Sequence, residues 1–147
     1  LKDAEGFRRY IWMLALSFFS ATLFCILVPN GQDLRPADLV VTDIFTWAVQ
    51  LTYTLDTNTN VFPSVHVLGV IAAVTSVWET PGLRKSGWRW FAAVYGLVII
   101  ASTLLVKQHT ILDVAAAIPC GMLSYLIVYR VIGRRRNMLP QTSPQGE

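Results

Sequence analysis

Residues 110–129 read TILDVAAAIPCGMLSYLIVY, an apolar run of helical length that contains a single charged side chain, Asp113. A helix that crosses a hydrocarbon core of roughly 30 Å needs about 20 such residues. Three further runs have the same character and cover residues 10–28, 64–78 and 88–106, the second being the shortest. The alternation typical of membrane barrels is missing from them. The sequence therefore predicts an all-α, polytopic transmembrane helical bundle with four spans.

Lysine and arginine are distributed unevenly around these runs. Two of the twelve, Arg35 and Lys107, lie in the loops on one side of the predicted bundle. The other ten fall on the opposite side, at residues 2, 8, 9, 84, 85, 89, 130 and 134–136. Because short cytoplasmic loops carry the excess of positive charge, this pattern predicts a multi-pass protein of the cell membrane with both termini of the chain cytoplasmic.

The segments outside the spans carry two further predictions. Polar residues recur at helical spacing among apolar ones over residues 38–51, which predicts a short amphipathic helix at the membrane interface. A lid that packs on the bundle without touching a substrate fits the same pattern. The polar end of the chain predicts a transmembrane domain over residues 1–136 and a disordered cytoplasmic tail over residues 137–147.

The two histidines of the chain and one carboxylate lie at the ends of apolar runs, on the predicted extracytoplasmic side. Asp113 follows His109 by four residues, a spacing that puts two side chains on one helix face. A carboxylate bonded to one imidazole nitrogen makes the other nitrogen a better nucleophile or base. An acid in the first turn of a helix is equally explained as a cap that suits the helix dipole.

His66 adds a second imidazole at the same boundary. Pro63 and Ser64 precede it and mark a helix start, where free backbone N–H groups and the serine hydroxyl can bind an anion. Arg35 and Lys107 are the cations on this side. The set predicts phosphoryl transfer without a metal: a histidine nucleophile with its orienting acid, a second histidine as general acid, and a clamp for the phosphate oxygens.

These residues resemble three signatures of the type 2 phosphatidic acid phosphatase superfamily of membrane lipid phosphatases and phosphotransferases. Its first signature is Lys-x6-Arg-Pro, its second Pro-Ser-Gly-His and its third Ser-Arg-x5-His-x3-Asp. The matching stretches here are Leu34-Arg35-Pro36, Pro63-Ser64-Val65-His66, and Ser102-Thr103 followed by His109 and Asp113 at the family spacing. The resemblance covers about residues 10–132. It implies that two N-terminal helices of the family lie outside this sequence.

The sequence departs from the family pattern at two cations. Val28 stands where the first signature has lysine, and Thr103 stands where the third has arginine. Lys107, two residues before His109, is the candidate replacement. This pattern is more similar to the inositol phosphorylceramide synthase-like branch than to the standard phosphatidate phosphatases.

The resemblance implies a lipid phosphate phosphatase that needs no cofactor. His109 would attack phosphorus, Asp113 would orient it, and His66 would protonate the leaving alkoxide. Phosphate would be bound by Arg35, Ser64, Ser102 and Lys107. The expected partners are membrane lipids and a phosphorylated lipid substrate of the phosphatidate, phosphatidylglycerol phosphate or polyprenyl diphosphate type, and no nucleic acid.

Other functions stay open at this point. A phosphotransferase would use a second alcohol instead of water, and a non-catalytic relative would bind or transport a lipid within the same fold. A metal site is disfavoured because two histidines without a cysteine cluster do not build a closed site. A proton relay is disfavoured because both histidines lie at a boundary and not along a path through the membrane.

Overall fold

The computed structural model of the chain describes residues 4–84 and 87–133, without the side chain of Arg84. Within these residues the fold is helical and contains no strand. The elements are α1 (Ala4–Leu27), α2 (Ile44–Leu55), α3 (Val65–Glu79), α4 (Pro81–Arg84), α5 (Trp88–Leu105), α6 (Ile111–Tyr125) and a π-helical continuation of α6 (Leu126–Ile132). The predicted tail, residues 137–147, lies outside the described residues.

Three of the four predicted spans are long and apolar enough to cross a membrane: α1, α5, and α6 with its continuation. The remaining run forms α3, an apolar helix of 15 residues. At 1.5 Å per residue it extends about 22 Å, which is less than the roughly 30 Å of a hydrocarbon core. The all-helical class is thus confirmed, whereas four membrane spans remain a prediction.

Helix α3 is the centre of the bundle and packs against α1, α5 and α6. Small residues permit its closest contacts. A methyl group added at Gly96 of α5 would lie 2.7 Å from Val70, and one added at Gly121 of α6 would lie 2.9 Å from Ile71. Because α5 and α6 approach α3 at glycines, their backbones come close to it. These contacts fix the position of α3 along its own axis and its rotation about that axis.

The outer surface of the long helices is apolar. Large side chains such as Trp12, Phe19, Leu97 and Leu123 are exposed on it. Soluble monomers rarely expose contiguous apolar patches of more than a few hundred Å². The surface is therefore that of a protein in contact with lipid.

The bundle has two distinct ends. At one end Arg9 of α1 lies over the ring of Tyr129, and the Tyr125 hydroxyl donates to Glu79 at the end of α3. At the other end, Asn30 binds the backbone of Phe62 through both of its side-chain polar atoms. The loops that carry the predicted site residues therefore meet at one end, opposite the described basic residues of the helix ends. The membrane side of each end remains a prediction.

A helix is present where the sequence predicts an amphipathic one, and it begins later. Asp43 caps α2 by accepting hydrogen bonds from the backbone of Phe45 and Thr46, and Thr46 bonds back to Asp43. No residue of α2 is buried. The hydroxyl of Tyr53 donates to the carbonyl of Val106 and joins α2 to the loop before α6. The position of this helix at a membrane interface remains a prediction.

Candidate active site

The two histidines, 43 residues apart in sequence, are in direct contact. Nδ1 of His66 lies 3.1 Å from Nε2 of His109, and the ring centroids are 5.3 Å apart at an interplanar angle of 63°. His66 is the second residue of α3, and His109 precedes α6 by two residues. The contact places one proton between two nitrogens, so one imidazole donates and the other accepts.

The two rings differ in their surroundings. His109 is 4% exposed, whereas His66 is open to its surroundings. Burial, and then the neighbouring His66, lower the pKa of His109, against the opposing effects of Asp113, Asp56 and the backbone of Val61. A lowered pKa keeps the inner imidazole neutral at neutral pH and its lone pair available. The exposed imidazole is the one that can exchange protons with the medium.

Asp113 is placed beside His109 without bonding to it. Its Oδ2 lies 3.7 Å from Nδ1 of His109, beyond hydrogen-bond range, and this nitrogen is buried without a hydrogen bond to any described residue. The same Oδ2 accepts from the backbone N–H of Thr110 at 2.6 Å, and the Thr110 hydroxyl accepts from the Asp113 N–H at 3.2 Å. Asp113 is therefore a cap of α6. Its carboxylate is also close enough to the His109 ring to act on it electrostatically.

Ser64 joins the starts of α3 and α6. It is fully buried, its hydroxyl accepts from the N–H of Val67 at 3.4 Å, and its own N–H donates to the carbonyl of Asp113 at 3.3 Å. The N–H groups of Val65 and His66, in the first turn of α3, have no partner in the described part of the chain. The start of α3 therefore presents two free amides next to the histidine pair.

Arg35 is engaged by backbone carbonyls. Its guanidinium donates to the carbonyls of Tyr53, Asp56 and Thr57 and lies 4.8 Å from the ring centroid of Tyr53. Nε of Arg35 is buried and has no hydrogen bond within the described ranges. The guanidinium of Arg35 therefore lies against the chain segment that follows α2. The structure shows no hydrogen bond between Arg35 and the histidine rings.

Lys107 and Ser102 are both exposed. Lys107 has a left-handed backbone with φ of 55°, and its ammonium group makes no hydrogen bond or ion pair with the part of the chain that the structure describes. The Ser102 hydroxyl donates back to the carbonyl of Ile99 at 2.7 Å. Neither side chain forms a hydrogen bond with the histidine pair, so their roles at a phosphate remain predictions.

The loop that carries His109 is held by residues that the sequence analysis did not select. Gln32 donates from its amide to the carbonyls of Lys107 and Gln108, each at 2.8 Å. The Gln108 amide donates to Oδ2 of Asp56 at 2.8 Å. The carbonyl of buried Thr103 accepts from the backbone N–H groups of both Gln108 and His109. These bonds fix the backbone of His109 from three directions.

The sequence contains little that would identify these residues as supports of the His109 loop. Gln108 is adjacent to His109 in sequence, but Gln32 and Asp56 are far away along the chain and belong to no motif. Within residues 4–84 and 87–133, no three His, Cys, Asp or Glu residues are grouped as metal ligands. Operation without a metal or cofactor remains a prediction.

Apolar helices long enough to cross a membrane, with paired histidines and a carboxylate at one end of the bundle, are features of helical membrane phosphatases and phosphotransferases. The chain belongs to the PAP2 superfamily, whose family model matches residues 7–137. Members of this superfamily are generally phosphatases. The resemblance drawn from the three signatures is thereby confirmed. No curated protein and no solved structure matches the chain significantly.

Proposed function

We propose that the chain is an integral membrane phosphatase that removes phosphate from a phosphorylated lipid, without a metal, through a phosphohistidine intermediate. The observation that carries this proposal is the 3.1 Å contact between Nδ1 of His66 and Nε2 of His109. Two imidazoles this close can act on one phosphate, the first on phosphorus and the second on the leaving oxygen. Phosphatidate, phosphatidylglycerol phosphate and polyprenyl diphosphates are the substrate types that fit a site at the end of an apolar bundle.

His109 is the proposed nucleophile. Its burial and its neighbour His66 lower its pKa, so the lone pair of Nε2 is free to attack phosphorus. This nitrogen faces His66, and a substrate phosphate therefore has to enter between the two rings and replace their direct contact. As the N–P bond forms, positive charge develops on the His109 ring. The Asp113 carboxylate, 3.7 Å from Nδ1, stabilises this charge.

His66 is the proposed general acid and base. The P–O bond to the lipid breaks with its electron pair on oxygen, and protonated His66 gives its proton to this alkoxide. His66, now neutral, then takes a proton from water, whose oxygen attacks phosphorus and breaks the N–P bond. Phosphate leaves, His109 is neutral again, and His66 is protonated for the next cycle. Exposure of His66 lets it exchange this proton with the medium.

Charge on the equatorial phosphate oxygens needs donors around the pair. We assign this role to the free amides of the first turn of α3 beside Ser64, and to Arg35, Lys107 and Ser102. The free ammonium of Lys107 is available without breaking a contact. Arg35 has an unpartnered Nε but has to release or share its carbonyls, and Ser102 has to rotate away from the helix backbone.

The proposed orientation has the histidine pair on the extracytoplasmic side and both ends of the chain in the cytoplasm. Arg8, Arg9, Arg89 and Arg130 lie at the opposite end of the bundle from the pair, as an excess of cytoplasmic positive charge requires.

Two alternatives use the same site. A phosphotransferase passes the phosphoryl headgroup from His109 to a second alcohol, and His66 then deprotonates this alcohol in place of water. A non-catalytic lipid-binding or transport relative is favoured by the occupied guanidinium of Arg35 and by the uncharged residues Val28 and Thr103 at two family cation positions.

The test is phosphate release by the purified chain from a panel of phosphorylated lipids, in detergent with EDTA. We expect release that resists EDTA and vanishes in His109→Ala. In His66→Ala we expect a loss of about 10²–10⁴-fold with lipid substrates, and a smaller loss in phosphoenzyme formation with p-nitrophenyl phosphate, because nitrophenolate leaves without a proton.

The intermediate is tested separately with substrate carrying labelled phosphorus. Label that stays on His66→Ala after denaturation, is lost in acid and survives alkali supports phosphohistidine. Label without release in the wild type, restored to product by an added alcohol, identifies a phosphotransferase. If the wild type and His66→Ala are both folded and bind lipid but give neither label nor product, the chain is the non-catalytic relative and the proposal is overturned.

A further inference from the structure

A polar cavity lies at the end of the bundle opposite the histidine pair. It has a volume of about 300 Å³ and is lined by Glu5, Gly6, Arg9, Glu79, Thr80, Pro81 and Tyr129. Glu79 follows His66 by thirteen residues along α3, a distance of about 20 Å at 1.5 Å per residue. The proposed reaction uses none of these residues, so the cavity requires a separate explanation.

Tyr129 gives this cavity an unsatisfied polar group. The residue is 7% exposed, and its hydroxyl is buried without a hydrogen bond to the described residues. The Ser76 side chain acts on this hydroxyl, and so do the charges of Glu79 and Arg9, which line the same cavity. A buried hydroxyl without a partner destabilises a fold. A ligand that reaches this hydroxyl from the cavity would remove the penalty.

The charged groups of the cavity suit a ligand that carries both signs. Glu79 accepts one hydrogen bond, from the Tyr125 hydroxyl at 2.8 Å, and its other carboxylate oxygen has no partner in the described segments. Arg9 pairs with Glu5 at the partly exposed rim, where its guanidinium retains further N–H groups. A carboxylate and a hydroxyl can take an ammonium group, while the guanidinium can take a phosphate.

A separate, apolar cavity lies on the other side of Glu79. It has a volume of about 430 Å³, lies between α3 and α6, and is lined by apolar side chains that include Ile71, Val74, Trp78 and Met122, with Glu79 also on its wall. Because Glu79 borders both cavities, the polar and the apolar one are neighbours, as the head and the chain of a lipid are. This proximity of an apolar cavity to a charged one favours a lipid over a free headgroup.

We propose that this end of the bundle is a binding site for a zwitterionic aminophospholipid. The primary ammonium group binds Glu79 and the Tyr129 hydroxyl, the phosphate binds Arg9, and an acyl chain lies in the groove between α3 and α6. The site is separate from the histidine pair and does not depend on the reaction proposed there.

The test compares three lipids with identical acyl chains, added in detergent to the purified full chain. Phosphatidylethanolamine has a primary ammonium, phosphatidylcholine a quaternary one that cannot donate, and phosphatidylglycerol none. We expect phosphatidylethanolamine to give a one-to-one adduct in native mass spectrometry and to raise Tm by about 5 °C at ten times its Kd, well beyond the other two. Equal adducts and equal shifts with all three lipids would mean general lipid contact and would overturn the proposal.

Two variants locate the site. Tyr129→Phe removes the unpartnered hydroxyl, so we expect an unchanged or higher Tm without lipid and loss of the phosphatidylethanolamine increment. Glu79→Gln keeps the shape of the side chain and loses the charge that binds ammonium, and it should lose the same increment. Tyr95→Phe on the exposed face of α5 and Asp38→Asn at the other end are matched controls that keep it. An increment retained in both Tyr129→Phe and Glu79→Gln would place the lipid elsewhere.

Discussion

Replacing Asp113 by asparagine separates the two tasks that its position allows. As a cap it accepts a hydrogen bond from the backbone of Thr110, and an asparagine oxygen can accept the same bond. As a charge it lies 3.7 Å from Nδ1 of His109, and asparagine has no charge. Asp113→Asn should therefore reduce catalysis strongly and stability little.

The magnitude follows from the distance. Two unit charges 3.7 Å apart attract by about 4–5 kcal/mol at an effective dielectric constant of about 20, and both side chains are buried enough for this to apply. Positive charge on His109 develops only when its N–P bond forms, so the lost attraction raises the barrier of that step. We expect a fall in kcat/KM of about 10³-fold.

Thr110→Ala is the matched control because it breaks the same cap from the other side. It removes the hydroxyl that accepts from the Asp113 N–H and should cost about 0.5–2 kcal/mol of stability, while the carboxylate stays beside His109. The assays are phosphate release for kcat/KM and thermal unfolding in detergent for Tm. If Asp113→Asn lowers Tm as much as Thr110→Ala and the two lose equal activity, the carboxylate is a cap and the electrostatic reasoning is wrong.

Three further predictions follow from the loop, the histidine pair and the helix contacts. Gln32→Glu removes both amide donors that hold the loop before α6 and should lower kcat/KM about 10–100-fold. The control Gln50→Glu, on exposed α2, should leave kcat/KM unchanged. Equal kcat/KM values for the two variants would mean that the loop needs no such support. Because the pKa of His109 lies below its ordinary value of 6.5, the acidic limb of kcat/KM should be centred below 6.5, and the free energy of unfolding should decrease as pH falls from 6.5 through that limb; an acidic limb centred above 6.5 would contradict this. Gly121→Ala puts a methyl group 2.9 Å from an α3 side chain and should lower Tm by several degrees. In Gly69→Ala the nearest neighbour of the new methyl group is 3.9 Å away, so Tm should stay the same or rise. Similar Tm values for the two variants in unfolding scans would refute the close approach at Gly121.

The helices were readable from the sequence because their signal is local. Apolar runs bounded by turn residues predicted helices over 10–28, 64–78, 88–106 and 110–129, and the structure has helices over 4–27, 65–79, 88–105 and 111–132. Composition predicted a membrane span for the second run, whereas α3 has 15 residues between its cap Ser64 and its last residue Glu79 and is shorter than the other three helices. The position of α3 along the bundle axis therefore depends on its contacts with Gly96 and Gly121 of the neighbouring helices.

The arrangement around Arg35 was not readable from the sequence. Its signature position predicted a cation beside the phosphate, but three backbone carbonyls at the end of α2 hold its guanidinium. Sequence spacing cannot show this because three of the competing acceptors are carbonyls, which every residue carries, and the fourth is the Asp56 carboxylate, 3.9 Å away. Ser102 is similar: its hydroxyl turns back to its own helix, whereas Thr103 beside it is buried and holds the loop of His109.

The sequence by itself determined the helical class, the family, and the residue types at the site, because these depend on composition and on spacings within single segments. The tertiary structure decided which of those residues meet. It brought His66 to 3.1 Å from His109 and left Asp113 at 3.7 Å as a cap. The physical reason is that helix packing and loop hydrogen bonds set these distances, and the contributing residues are far apart along the chain.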